Sequence, residues 1–190
     1  MPKLIVVAGQ PGGGKSSSMG APYFSRHDIP YFNIDERCKA LNCSAQKIPP
    51  TVRQQANDEL RTFCQTHIQT RRTFAFETTL RQDFAIRMAQ EAKAAEFDTD
   101  LHFIAAPVEV HIERVTARAL AGGHAASEPR LRAMYAASMN NLPLALAAFD
   151  HCSIYDSTRK DTLRMTARNG QIIVAKPPLP AWLRAALSLR

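Results

Sequence analysis

The chain is poor in most features that mark secreted, membrane-spanning or metal-clustered proteins. Its four cysteines, Cys38, Cys43, Cys64 and Cys152, include no C-x-x-C pair, so the spacing of a zinc or dithiol site is missing. Reduced structural thiols are the expectation that remains. No apolar run approaches the length of a membrane span. The apolar N-terminal stretch does not read as a secretion signal either, because a glycine-rich turn begins where a cleavage site would fall. A cytoplasmic protein is therefore expected. There is no internal repeat, no low-complexity tract and no linker that would divide the chain into separate domains. D-x-x-G and N-K-x-D, which a GTPase switch normally shows, are both missing. Lysine and arginine form no long block, and no basic stripe alternates with aromatics, so nucleic acid is not the expected partner.

What is present fits one globular domain of 190 residues, with 45% hydrophobic residues and a net charge of +7. The positive balance suits an anionic partner, although a generally basic surface gives the same number. Apolar runs alternate with helix-like stretches, which predicts an α/β domain with a mostly parallel sheet. Strands are expected at Leu4–Ala8, Tyr31–Ile34, Thr73–Phe76, Leu101–Ile104 and Ser153–Tyr155. A first helix is expected from Lys15 to a stop at Gly20 or Pro22. Further helices are expected over 51–70 with Thr51 as N-cap, over 82–95, and from Pro107 through Ala119. One more over Glu128–Asn141 should kink or stop at Pro143. Asn169-Gly170 between strand-like flanks predicts a hairpin within 162–175. Pro177, Pro178 and Pro180 then lead to a terminal helix with Trp182, Leu183 and Leu187, so residues 160–190 read as a C-terminal appendage.

Residues 9–16, Gly-Gln-Pro-Gly-Gly-Gly-Lys-Ser, complete a G-x-x-x-x-G-K-[ST] phosphate-binding loop directly after the first strand. Gly12, Gly13 and Gly14 let backbone N–H groups converge on a polyphosphate. Lys15 supplies a point charge, Ser16 a hydroxyl for Mg²⁺, and Ser17 extends the helix start that favours anions. In a parallel sheet, ligands bind beyond the carboxyl ends of the strands. The second strand is expected to end at Asp35 and the third at Glu77. Asp35 is therefore the candidate base for an attacking hydroxyl, with a helix N-cap as its structural alternative. Glu77, with Thr79 and Arg81 just beyond it, is placed to meet the acceptor or the Mg²⁺ shell, unless it is an exposed loop carboxylate. Arg114 and Arg118 lie four apart on one helix face, the spacing of a phosphate clamp or of a solvated basic face. Arg130 and Arg132 are weaker candidates of that kind. His124 either touches nucleotide or holds the turn by a hydrogen bond, and Asp156 either frames a base or closes a turn.

These elements in this order resemble the zeta toxin family of P-loop kinases. The matching pieces are the loop 9–16, Asn33-Ile34-Asp35, Phe76-Glu77-Thr78-Thr79-Leu80, Ile112-Glu113-Arg114, Arg118, Gly122-Gly123-His124, Tyr135, Asn141-Leu142 and Ile154-Tyr155-Asp156. The resemblance implies a three-layer α/β/α fold and an ATP-dependent, Mg²⁺-requiring kinase. It implies a UDP-amino sugar such as UDP-N-acetylglucosamine as acceptor, and a cognate antitoxin that blocks the site. No antitoxin-like helical segment precedes the loop, so the antitoxin is expected to be a separate chain. By the same resemblance Lys15 and Ser16 bind ATP and Mg²⁺, Asp35 is the base, Glu77 a substrate contact, and Arg114 a phosphate clamp. Three positions depart from the family pattern: Ala126-Ser127 after the Gly-Gly-His, Met134 before Tyr135, and Ala105-Ala106 after the fourth strand. A different acceptor, whether a metabolite, a nucleotide or a nucleic-acid end, is the competing expectation.

Overall fold

A computed structural model describes residues 1–15, 19–41, 48–120 and 126–189. Seven strands form one sheet: β1 (Lys3–Gly9), β2 (Tyr31–Phe32), β3 (Phe74–Thr78), β4 (Asp98–Ala105), β5 (His151–Asp156), β6 (Thr162–Arg168) and β7 (Gln171–Ala175). Their order is β2-β3-β1-β4-β5-β6-β7. The first five are parallel, and β6 and β7 continue the sheet antiparallel. The helices bounded within the described residues are α1 (Ala21–Arg26), α2 (Ile34–Leu41), α3 (Pro50–Gln69), α4 (Phe84–Ala94), α5 (Val108–Leu120), α6 (Glu128–Ala148) and α7 (Ala181–Ala186).

The central strand β1 shows why the sheet is covered on both faces. Leu4, Val6 and Ala8 point into a large core with Leu60 and Cys64 of α3, Ala85 and Met88 of α4, Met139 and Leu142 of α6, and Trp182 and Leu183 of α7. Ile5 and Val7, one residue out of phase, join Ala75, Ile104 and Phe24 of α1 in a smaller cluster on the other face. Phe74, Phe76, Phe103 and Phe149 are fully buried. Each such burial stabilises the fold by roughly 1.5–3 kcal/mol. β6 and α7 join this architecture, since β6 pairs with β5 and Trp182 shares the core of Leu4.

Several boundaries differ from the sequence expectation. The second strand stops at Phe32, and Ile34 and Asp35 open α2 instead of extending the strand. Lys15 and Met19 are helical and Gly20 is not, so the first helix has ended by Gly20, the first of its two expected stops. Pro22 instead starts α1, because a proline in the first turn lacks only an N–H that would be unpaired there. Thr51 is not a cap: α3 begins at Pro50 behind Pro49, with no side-chain cap bond. Pro143 neither stops α6 nor marks its end. Buried Leu142, Ala145 and Leu146 hold the last turns of that helix on the core across the missing hydrogen bond. Glu77 lies inside β3, one residue before its end. The hairpin at Asn169-Gly170 is present, with both residues at positive φ. Cys38, Cys64 and Cys152 are buried free thiols, and burial pushes the Cys152 thiol up to about 12; Cys43 lies outside the described residues. No helix among the described residues is long and apolar enough to cross a membrane.

Candidate active site

The phosphate loop is pinned from its first residue. Gly9 closes β1 so near to β4 that a Cβ there would lie 2.1 Å from the Ile104 carbonyl oxygen. Only glycine fits. Gly12 turns at φ +77, and a Cβ on it would press on Arg114 Cβ and the His111 carbonyl, both at 3.3 Å. The Gly13 N–H donates to the Gln10 carbonyl at 3.0 Å, closing the turn. Lys15 Nζ donates to the same carbonyl at 3.1 Å. Ser16 and Ser17, expected to bind nucleotide and Mg²⁺, lie outside the described residues.

Beneath the turn sits a buried ionic cluster. Lys15 Nζ is 3.3 Å from Glu77 Oε1, and both side chains are close to nine-tenths buried or more. The register Val7↔Glu77 between β1 and β3 brings that carboxylate to the loop. The Tyr31 hydroxyl donates to Glu77 Oε2 at 2.9 Å. Burial and the neighbouring carboxylate hold the Tyr31 phenol well above its ordinary range, so it remains a donor. A buried pair of this kind is costly to break from one side only.

Asp35 stands at the same edge of the sheet, because the parallel register Phe32↔Phe76 sets Asn33 level with Glu77. The helix cap expected as its alternative role belongs to Asn33. The Asn33 side-chain oxygen accepts the N–H groups of Asp35 at 2.9 Å and Glu36 at 3.2 Å. Asp35 is thereby presented on the first turn of α2, 71% exposed, with Arg53 of α3 at 3.2 Å from its Oδ1. Thr79 is half-buried and Arg81 exposed in the turn after β3. That turn is held by Asn141 of α6, which donates to the Leu80 carbonyl at 3.0 Å.

Arg114 is engaged differently from a free clamp. Its Nη1 donates to the Gly12 carbonyl at 3.2 Å, and its Nη2 donates to the carbonyls of Ser157 at 2.6 Å and Thr158 at 3.0 Å. The guanidinium therefore ties the phosphate loop to the segment after β5. One turn earlier on α5, His111 makes a second tie. Its Nε2 accepts the Ala106 N–H at 3.0 Å, so the ring proton sits on Nδ1, which faces the Pro11 carbonyl at 3.3 Å. Burial above all, helped by Lys15 and Arg114, pulls the His111 value down to about 4. Asp161 lies over the loop on its open side, where a Cβ on Gly14 would be 3.6 Å from Asp161 Oδ1. Burial raises its carboxyl, against the pull of Arg114.

The remaining candidates are more peripheral. Arg118 is exposed and makes no hydrogen bond or ion pair among the described residues. Arg132 is committed to Glu128 at 2.8 Å and Glu109 at 3.2 Å, and Arg130 is exposed. Asp156 closes its own turn by accepting from Thr158. His124 lies outside the described residues. Sequence reasoning missed His111, Tyr31, Arg53 and Asp161. His111 carried a usable signal, three residues before Arg114 on the same helix face. The other three meet their partners only through the sheet register or a long return of the chain.

The zeta toxin family model matches residues 39–169, more than half of the chain. No curated protein matches it. Among solved structures, the PezAT toxin–antitoxin system of Streptococcus pneumoniae is 14% identical with a TM-score of 0.64, over 100% of this chain and 84% of that one. The AvrRxo1-ORF1:AvrRxo1-ORF2 complex with sulphate ions is 14% identical with a TM-score of 0.70, over 95% of this chain and 66% of that one. The same complex with ATP gives 15% and 0.66, over 95% and 65%. The chain thus spans just under two thirds of the AvrRxo1 structure's length, and at these identities the likeness is one of fold. Membership rests on the family match, which begins downstream of the phosphate loop and so does not depend on it: the chain belongs to the zeta toxin family.

Proposed function

We propose that the protein is an ATP-dependent kinase that phosphorylates a hydroxyl of a UDP-amino sugar of the UDP-N-acetylglucosamine type. In this reading it acts as a cytoplasmic toxin held in check by a separate antitoxin chain, with residues 1–190 working as one domain. The observation that carries the reading is the buried Lys15–Glu77 pair under the glycine turn, at the sheet edge that also presents Asp35. A lysine buried inside a phosphate loop suits a polyphosphate, and ATP is present in the AvrRxo1 complex of similar fold. PezAT, of similar fold, is a toxin–antitoxin system, which supports a protein inhibitor.

The described geometry supports roles for Lys15, Glu77, Asp35 and Arg114, and those of Ser16 and Ser17 come from the motif. Gly12, Gly13, Gly14, Ser16 and Ser17 hold the nucleotide phosphates with Lys15, which leaves Glu77 to engage them. Ser16 and Glu77 are suited to Mg²⁺, which when bound neutralises charge on the outer phosphates. Arg114 fixes the loop and lends its charge to the site, with Arg118 one turn further along. Glu77, Thr79 and Arg81 face the acceptor side. Asp35 accepts the proton of the attacking hydroxyl. A new P–O bond forms to that oxygen, the bond from the γ-phosphorus to the bridging oxygen breaks, and ADP leaves.

The test is mass spectrometry of purified protein incubated with ATP, Mg²⁺ and UDP-N-acetylglucosamine. A species heavier by one phosphoryl group is expected, and Asp35→Ala should abolish it while leaving ATP binding intact. ATP turnover indifferent to Asp35→Ala would remove the base assignment. An RNA 5′ end phosphorylated faster than any UDP-sugar would replace the acceptor.

A further inference from the structure

We infer that the outer edge of β7 is a docking edge for an extended acidic segment of another protein, which joins the sheet as an additional strand. Sheets in solution usually blunt their edges with short strands, prolines or charges. The opposite edge of this sheet obeys that rule, since β2 is two residues long. β7 does not. It runs for five residues, Gln171 to Ala175, all exposed, with no charge and no proline among them. Ile172, Ile173 and Val174 are 43%, 62% and 43% exposed. Ile173 is the extra residue of a bulge, since Thr166 pairs with Val174 and Ala167 with Ile172. The most exposed apolar side chain is thus also the one that β6 does not pair.

The charge distribution identifies the occupant. Residues 157–190 hold seven basic side chains and one acidic one, so they carry six of the chain's seven net positive charges. The first 156 residues are balanced to within one charge. Arg168 and Lys176 are exposed at the two ends of β7, and Arg159 and Lys160 are exposed on the approach to β6. A bare apolar strand framed by cations matches a partner strand that alternates carboxylates with apolar residues. Main-chain hydrogen bonds supply its affinity and the flanking charges its selectivity. A second copy of this chain fits poorly. Antiparallel self-pairing centred on Ile173 would bring Lys176 of each copy near Arg168 of the other. Nucleic acid also fits poorly, because residues 157–175 contain no aromatic on which bases could stack.

The probe is a fluorescent peptide of alternating glutamate and valine, long enough to cover β7, titrated into the full chain. Saturable binding is expected, weakening with salt, together with new protection of β7 amides from hydrogen exchange. Ile173→Lys and Lys176→Glu should each weaken binding about tenfold or more, and Val174→Pro should abolish it. Melting temperatures of the variants confirm that they fold. Ile173→Lys and Lys176→Glu change exposed positions, so the test stands even if the proline does not fold. Kinase activity, if present, should be unchanged in all folded variants. Four results would overturn the proposal. They are no peptide binding, equal binding of a lysine–valine peptide, binding indifferent to the two point variants, and a dimer of the wild type that Ile173→Lys dissolves. Single-stranded RNA or anionic vesicles that bind in the peptide's place, and are lost with Ile173→Lys, would reassign the edge.

Discussion

Acid should loosen this fold through one histidine. The His111 ring is wedged between α5 and the phosphate loop, and its Nε2 must be unprotonated to accept the Ala106 N–H. Protonation would set one donor against another in a site that is 2% exposed. Burial holds the folded value near 4 against an ordinary 6.5. Between those values the unfolded chain binds a proton that the folded chain refuses. The associated stability is therefore complete above pH 6.5 and drains away as the pH falls towards 4. At pH 4.5 the loss works out at about 2.5 kcal/mol. Burial also lowers His102, so the wild-type curve alone is ambiguous. The comparison is with His111→Gln, which cannot titrate. Urea unfolding at pH 7, 6, 5 and 4.5 can be followed by the single tryptophan, Trp182, which is 8% exposed. The wild type should lead the variant at neutral pH, and that lead should shrink by about 2.5 kcal/mol at pH 4.5. A gap that stays constant with pH would refute the assignment of an unprotonated Nε2 at this joint.

Four further substitutions have expected outcomes. Arg114→Lys cannot reach all three carbonyls that the guanidinium bridges, and should cost about 2 kcal/mol in thermal or urea unfolding. Gly9→Ala should cost more than about 3 kcal/mol or prevent folding, because its methyl meets backbone at 2.1 Å. Gly170→Ala, at φ +79 with its nearest atom at 3.5 Å, should cost only about 1 kcal/mol, and similar losses for the two would contradict the steric account. Asp161→Asn removes a carboxylate over Gly14 and should tighten ATP binding several-fold by calorimetry, with a smaller gain at high salt; weaker binding would show that the carboxylate is used.

The regions of this fold that read cleanly from sequence are those encoded within one short stretch. Leu4–Ala8 followed by the glycine turn is such a stretch, and so is the Asn169-Gly170 hairpin. Ambiguity enters where two neighbouring residues can do the same job. In Asn33-Ile34-Asp35 both polar residues can cap a helix, and only the structure shows that Asn33 does so and leaves Asp35 to project. Proline is ambiguous in the same way: Pro22 punctuates equally well as a stop or as a first turn. Least legible are contacts made across long separations. Arg114 is recognisable as a cation on the correct helix face, but nothing local announces carbonyls at 12, 157 and 158 as its partners. Glu77 could be placed at the end of a strand, whereas its pairing with Lys15 and Tyr31 follows from the order of β2, β3 and β1.

The Arg114 tie has a consequence for the order in which a newborn chain becomes competent. The phosphate loop leaves the ribosome well before the segments that brace it, because Arg114 lies 102 residues after Gly12 and Thr158 another 44 beyond. Yet Gly9 needs the Ile104 backbone as its floor, and Gly12 is braced by an arginine whose other anchors are Ser157 and Thr158. Synthesis proceeds at roughly 5–20 residues per second. Between the emergence of Gly12 and that of Thr158 the nascent protein therefore carries the phosphate-binding motif without the brace that shapes it, and both intervals must be synthesised before that brace can form.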